Sequence, residues 1–271
     1  MALRAVYVDL DGTLLGRGAS LFRDADGDFS LLQARGLQAC YRASVEVVIK
    51  SGRRKAQVME DARLIGQRAY IFEAGCGLVD GDDETLLTGD LVPTAGRTVH
   101  AQIAECGAPS LLLERYAGML EYHEPWHLDR EFSHLFRGRV DVAEAQQLLS
   151  EAGHDRLRLV DNGAISRRSP TLKVDNAHAY HLVPSAASKA NAVKVHMRSR
   201  GIGAEQCIGV GDSREDLDVA NAVGRYFLVA NAVEKDPDIE IAAAAHGNVE
   251  ITEGRMGEGF YEAVVRSLAV S

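Results

Sequence analysis

The chain has 271 residues, 46% of them hydrophobic and 25% charged, which gives enough apolar material for one large core or two modest ones and argues against disorder. A net charge of −9 and a pI near 5.5 argue against a sequence-independent grip on nucleic acid, which needs a concentrated basic surface. No stretch approaches the ~18 apolar residues of a membrane span, and the four cysteines are widely spaced with no CxxC pair, so reduced thiols and a cytoplasmic location are expected.

In chain order, Ala5 to Val8 is a short run of β-formers that ends at two acids, Asp9 and Asp11, followed by Gly12 and Thr13. Ser30 is placed to cap a helix carrying Leu37 and Cys40. SVEVVIKSG supplies a second strand that ends at Ser51. KAQVMEDARLIG sets Val58, Met59, Ala62 and Ile65 on one helical face, with Gly66 in stop position, and AYIF reads as a third strand. Between about Asp82 and Pro184 polar loops dominate, and the apolar runs SLLLERY and RLRLV read as strands of a separate sheet. The first pattern then returns: a helix opens near Lys189, CIGVGD is a buried strand running into Asp212, YFLVA is another, and a last helix carries Phe260, Val264 and Leu268 four apart. The expectation is an α/β protein with a Rossmann-like parallel-sheet core built from residues 1–81 and 185–271, and a smaller α+β cap domain inserted over 82–184.

The acids share a geometric property. Asp9 and Asp11 follow the first strand, Ser51 the second and Asp212 the strand CIGV, and the carboxyl ends of parallel strands line the ligand crevice of an open α/β sheet. Lys189 stands at a helix start, where a cation opposes the dipole and so serves another purpose. A phosphate dianion repels a carboxylate nucleophile, so a site that attacks with aspartate needs compensating charge, such as a divalent metal on other carboxylates plus a lysine. Asp9, Asp212, Asp216 and Lys189 supply those parts, and oxygen donors suit Mg²⁺.

At this point the chain resembles the haloacid dehalogenase superfamily of phosphatases. DLDGT (Asp9 to Thr13), Ser51 in KSGR, Lys189 in ASKANAV and GDSRED (Gly211 to Asp216) match its four motifs in order. The insert between the second and third motifs, with YIFEAGCGLV before it, looks like the type IIB cap of the Cof-like branch, which includes sucrose-phosphate and mannosyl-3-phosphoglycerate phosphatases. VANAV (Val229 to Val233) and GEGFYEAVV resemble that branch's C-terminal region.

The resemblance implies residue roles. Asp9 would take the phosphoryl group as an aspartyl phosphate, and Asp11 would protonate the leaving oxygen and then activate water. Ser51, the Gly52 amide and Lys189 would hold phosphoryl oxygens. Mg²⁺ would sit on Asp9, the Asp11 main-chain carbonyl and Asp212, with Asp216 orienting its waters. Many relatives carry Asn where this chain has Glu215. The expected substrate is a small phosphate ester, a sugar phosphate or a glycosylated phosphoglycerate. A hexose phosphomutase using the same two acids, and a silent binding protein on the same fold, are the alternatives.

Arg53 and Arg54 read either as groups that steer substrate or brace a carboxylate, or as a solvated pair at a helix start. Arg167 and Arg168 in AISRRSP read as a recognition loop or as an ordinary charged turn. His123 to His127 spells HEPWH, the letters of a zinc-hydrolase motif, but Pro125 would cost ~3 kcal/mol inside the helix that motif needs. The flanks fail as well, with Arg130 at the glycine position and Ser133 at the third-histidine position.

Overall fold

The computed structural model describes residues 2–165 and 169–270. The first part of the chain forms β1 (Ala5–Val8), α1 (Leu32–Arg42), β2 (Glu46–Lys50), α2 (Lys55–Leu64), β3 (Ala69–Phe72), β4 (Gly77–Asp80) and β5 (Asp83–Leu86). The middle forms α3 (Val99–Glu105), α4 (Ala108–Arg115), β6 (Leu120–Tyr122), β7 (His134–Gly138), α5 (Val142–Glu151), β8 (Leu157–Ala164) and β9 (His178–Pro184). The last part forms α6 (Lys189–Arg200), β10 (Cys207–Gly211), α7 (Arg214–Leu217), β11 (Arg225–Leu228), α8 (Asn231–Lys235), α9 (Ile239–Ala244), β12 (Val249–Ile251) and α10 (Met256–Leu268).

The large sheet has eight strands in the order β12-β11-β10-β1-β2-β3-β4-β5. Pairing is parallel from β12 through β3 and antiparallel for β3–β4 and β4–β5. From β1 the chain winds outward through β2 and β3, and after the insert it winds the other way through β10, β11 and β12. The β1/β10 boundary is therefore the topological switch point, where a ligand crevice opens at the carboxyl ends.

All four residues of β1 are fully buried, as a strand covered on both faces requires. Side chains alternate: Val6 and Val8 join the core that holds Phe260 and Val264 of α10, while Ala5 and Tyr7 join the core that holds Ala192 and Val193 of α6. Ser30 is not the cap of α1: Leu31 holds that position without a side-chain cap bond, and the Ser30 hydroxyl, one residue earlier, accepts from the Leu32 amide at 3.3 Å.

The second sheet has four antiparallel strands in the order β6-β7-β9-β8. Two expectations change here. SLLLERY lies in α4, not in a strand: Pro109 sits in the helix's first turn, where its fixed φ fits, and Leu, Glu and Arg are good helix formers. The division expected at residue 82 falls inside the β4–β5 hairpin, so the chain leaves the large sheet after Leu86. RLRLV does form a strand, β8, and β9 ends at Pro184 as the chain returns to the large sheet.

Candidate active site

Asp9 is the first residue after β1, and its amide donates to the Val210 carbonyl at 3.1 Å, so the central strand pair delivers it to the crevice. Asp212 follows β10 on the neighbouring strand. Gly12 makes the turn between them possible: its φ is +82°, and a Cβ there would overlap the Asp212 carboxylate. Thr13 donates to Asp212 Oδ1 at 3.3 Å, and the Asn231 side-chain amide donates to the Gly12 carbonyl at 2.9 Å.

Two helix starts complete the group. Ser188 caps α6 by accepting from the Asn191 amide, which places Lys189 in the first turn. Its Nζ lies 2.9 Å from Asp9 Oδ1, 3.0 Å from Asp216 Oδ1 and 3.3 Å from Glu215 Oε2. Ser213 caps α7 and donates its hydroxyl to Asp216 Oδ2 at 2.7 Å. Lys50, the last residue of β2, reaches Asp216 Oδ1 at 2.6 Å from a fully buried position. Lys235, at the end of α8, pairs with Asp212 Oδ2 at 2.7 Å.

The charges are shared unevenly, and the acidities follow. Burial raises the Asp216 carboxyl, but Lys189 and Lys50 outweigh it and hold the group well below the usual carboxylate range. Asp9 has less compensation. Burial dominates, Lys189 opposes it only in part, and the carboxyl is pushed up to about 7. Burial disfavours the Lys189 ammonium, yet Asp216, Asp9 and Glu215 together hold its pKa well above the ordinary lysine value. Glu215 is raised, by burial first.

Asp9, Asp212 and Asp216 each turn an oxygen to within 4.8 Å of the others, and both Glu215 carboxylate oxygens are buried without a hydrogen-bond partner. Four carboxylates thus face the three ammonium groups of Lys50, Lys189 and Lys235. An all-oxygen donor set with unspent negative charge fits a hard divalent cation such as Mg²⁺.

Ser51 is buried beside this group, and its Oγ accepts from the Arg53 amide at 3.1 Å, which leaves the hydroxyl proton to donate elsewhere. Gly52 is packed so closely against His181 of β9 that a Cβ would overlap the imidazole. Arg53 braces a carboxylate: Nε and Nη2 bind the two oxygens of Asp11 at 2.8 and 2.6 Å, and Nη1 binds Asp61 at 2.8 Å. Asp11 keeps about half of its side chain exposed, 53%, at the mouth of the crevice.

Arg54 pairs with Asp129 at 2.7 Å. Next to it, buried Arg130 donates to the Gly52 carbonyl at 2.6 Å and to Ser133 at 3.0 Å, while Glu73 accepts from Ser133 at 2.6 Å and from the Phe132 amide at 3.1 Å. The segment before β7 is thereby clamped to the turn after β2. Arg167 and Arg168 lie outside the described residues. HEPWH forms turns outside any helix, and neither histidine joins a metal-competent group among the described residues.

The sequence reading brought Asp9, Asp11, Ser51, Gly52, Lys189, Asp212 and Asp216 to one crevice but gave no role to Lys50, Lys235, Asn231, Arg130, Glu73 or His181. Lys50 carried a signal, a cation closing the apolar run EVVIK one residue before Ser51. Asn231 and Lys235 become visible only through the turn of Gly12 and the approach of α8.

Comparisons with known proteins agree with this geometry. The family model for haloacid dehalogenase-like hydrolases matches residues 6–236. The phosphoglycolate phosphatase of Archaeoglobus fulgidus is 25% identical over 237 residues, 86% of each chain. That of Methanothermobacter thermautotrophicus is 24% identical over 264 residues, 97% of this chain and 98% of the relative. The sucrose-phosphatase of Synechocystis sp. PCC6803, solved with sucrose and phosphate, superposes with a TM-score of 0.66 at 14% identity and 98% coverage of both chains. A haloacid dehalogenase-like hydrolase of B. subtilis gives a TM-score of 0.61 at 18% identity, covering 97% of this chain and 99% of its own. With four carboxylates and a buried lysine at the switch point of its sheet, and the family match spanning most of its length, the chain belongs to the haloacid dehalogenase-like hydrolases.

Proposed function

We propose that the protein is an Mg²⁺-dependent phosphomonoesterase that works through an aspartyl phosphate on Asp9 and acts on a small phosphorylated metabolite. The observation that carries the reading is Lys189, which reaches Asp9, Asp216 and Glu215 from one helix start beside Ser51. The ion would be held by Asp9, the Asp11 carbonyl and Asp212, with Asp216 behind them, and would offset the charge of the incoming phosphate.

The chain's own groups do the rest. A carboxylate oxygen of Asp9 attacks phosphorus as the ester P–O bond breaks. Asp11 gives a proton to the leaving oxygen, which would otherwise depart as a poor alkoxide leaving group. The Ser51 hydroxyl, the Gly52 amide and the Lys189 ammonium hold phosphoryl oxygens. Asp11 then takes a proton from water as it attacks phosphorus, freeing phosphate and regenerating Asp9. Arg53 sets the position of Asp11 in these steps. Arg167 and Arg168 remain proposed contacts to the leaving group.

Phosphoglycolate heads the substrate series, because curated relatives aligned over nearly the whole chain carry that activity in their names. Sugar phosphates and glycosylated phosphoglycerates follow. The test is phosphate release by purified protein with Mg²⁺ over phosphoglycolate, sugar phosphates, phosphoglycerates and p-nitrophenyl phosphate. Turnover that Asp9→Asn abolishes supports the reading. Inertness across the series with several divalent metals contradicts it, and a phosphate moved along a sugar without release identifies a mutase.

A further inference from the structure

At the end of the large sheet opposite the crevice, a second donor set comes together. Glu46 opens β2, and Asp80 closes β4, which runs antiparallel and pairs it with Ala69 at the start of β3. His196 approaches from α6. One ligand atom from each lies within 4.8 Å of the others. His196 is fully buried: its Nδ1 shares a 2.9 Å hydrogen bond with the Tyr7 hydroxyl, and its Nε2 has no hydrogen-bond partner. The nearby carboxylate oxygen, Glu46 Oε2, is 3.7 Å from Nε2. That is too long for a hydrogen bond but close to the spacing of two donors that share one ion at ~2.0–2.2 Å from each.

Neighbouring side chains hold the two carboxylates in place. Arg200 takes the other oxygens, Glu46 Oε1 at 2.9 Å and Asp80 Oδ1 at 2.6 Å, and Ser199 reaches Asp80 Oδ2 at 3.4 Å. Burial lowers the His196 pKa, with Glu46 and Asp80 opposing, a direction that favours the neutral ring a metal ligand needs. In the tautomer whose Nδ1–H donates to the Tyr7 hydroxyl, which a bound ion would select, Nε2 presents its lone pair to the carboxylates, as in a ligating histidine fixed by an outer partner.

We propose that Glu46, Asp80 and His196 form a site for a divalent transition ion of the zinc class, distinct from the catalytic carboxylates. One imidazole with two carboxylates favours Zn²⁺ or Co²⁺ over Mg²⁺. Glu46 and Arg200 also line a cavity of about 410 Å³, from which water would complete the coordination of a bound ion. The ion ties β2 and β4 to α6, the helix that carries Lys189.

The test uses full-length protein stripped of metal and reloaded with excess Mg²⁺. Zn²⁺ is titrated by calorimetry, and Co²⁺ by visible absorption, in wild type and in an Asp212→Asn background that weakens the catalytic site. One equivalent should bind in both, and Glu46→Gln or His196→Gln added to Asp212→Asn should weaken it at least ~10-fold with loss of the Co²⁺ bands. Unchanged Zn²⁺ affinity in the Glu46→Gln and Asp80→Asn double variants overturns the proposal. Should a variant fail to fold, wild-type crystals soaked in Zn²⁺ decide. An anomalous peak bonded to Glu46, Asp80 and His196 supports the site, and its absence overturns it.

Discussion

Lys189 holds three carboxylates from a position 1% exposed, and removing it would leave Asp9 and Glu215 without their nearest counter-charge in a buried site and Asp216 with Lys50 alone. Breaking a buried ion pair costs ~3–5 kcal/mol. Lys189→Met should therefore lower the unfolding free energy in urea by that order as well as abolish turnover. Of the three carboxyls, Asp9 and Glu215 are raised and Asp216 is lowered, and the Asp9 shift sets the pH behaviour. Asp9 attacks only when ionised, so at low Mg²⁺ kcat/KM should fall below pH ~7 and recover to lower pH as Mg²⁺ saturates. The linkage sign agrees. A carboxyl raised from 3.8 to about 7 contributes stability that is fully present below pH 3.8 and lost as pH rises through 7. Urea unfolding of the metal-free protein, wild type against Asp9→Asn, should show the variant gaining relative stability across that window. Asp11 is tested by leaving group. Asp11→Asn should cost ~10²–10⁴-fold on an alkyl phosphate and much less on p-nitrophenyl phosphate, whose anion leaves without a proton. Equal losses on both would remove the acid role.

At the scale of elements, most of the crevice was legible because it is built from ends. Strand ends at Asp9, Ser51 and Asp212 and a helix start at Lys189 follow from local patterns, since apolar runs and caps are local signals. The α4 segment was misread because a run of leucines after a proline fits helix and strand equally until packing decides. The clamp before β7 could not be read at all. Glu73 and Gly52 lie far in the chain from Arg130 and Ser133, and only the docking of the segment before β7 on the turns after β2 and β3 joins them. Glu73→Gln should leave Arg130 buried without its counter-charge and destabilise the fold by ~3–5 kcal/mol, and adding Arg130→Met should return part of the loss. Thermal melts of the two single variants and the double variant measure this coupling. Additive losses would show that the pair is not coupled.

For the whole molecule, a large sheet carries the clustered carboxylates and lysines, and His181 of the smaller sheet closes against the Gly52 turn that follows β2. The candidate reacting groups stand at fixed motif spacings in the sequence, whereas the contacts of the residues between β5 and β9 with the large sheet are marked by no motif. No helix among the described residues is long and apolar enough to cross a membrane. The excess of carboxylates over lysines at the crevice predicts that Mg²⁺ raises the melting temperature of wild type, by mass action on the folded state, and does so far less in Asp212→Asn.

The central claim, a covalent phosphoenzyme on Asp9, is tested most directly by trapping it. Protein quenched during turnover with Mg²⁺ and a hydrolysed phosphate ester, then reduced with borohydride, should yield homoserine at position 9 in the peptide spanning Val6 to Leu15. Recovery of unmodified Asp9 from a protein that is turning over, or reduction at another carboxylate, would contradict the account.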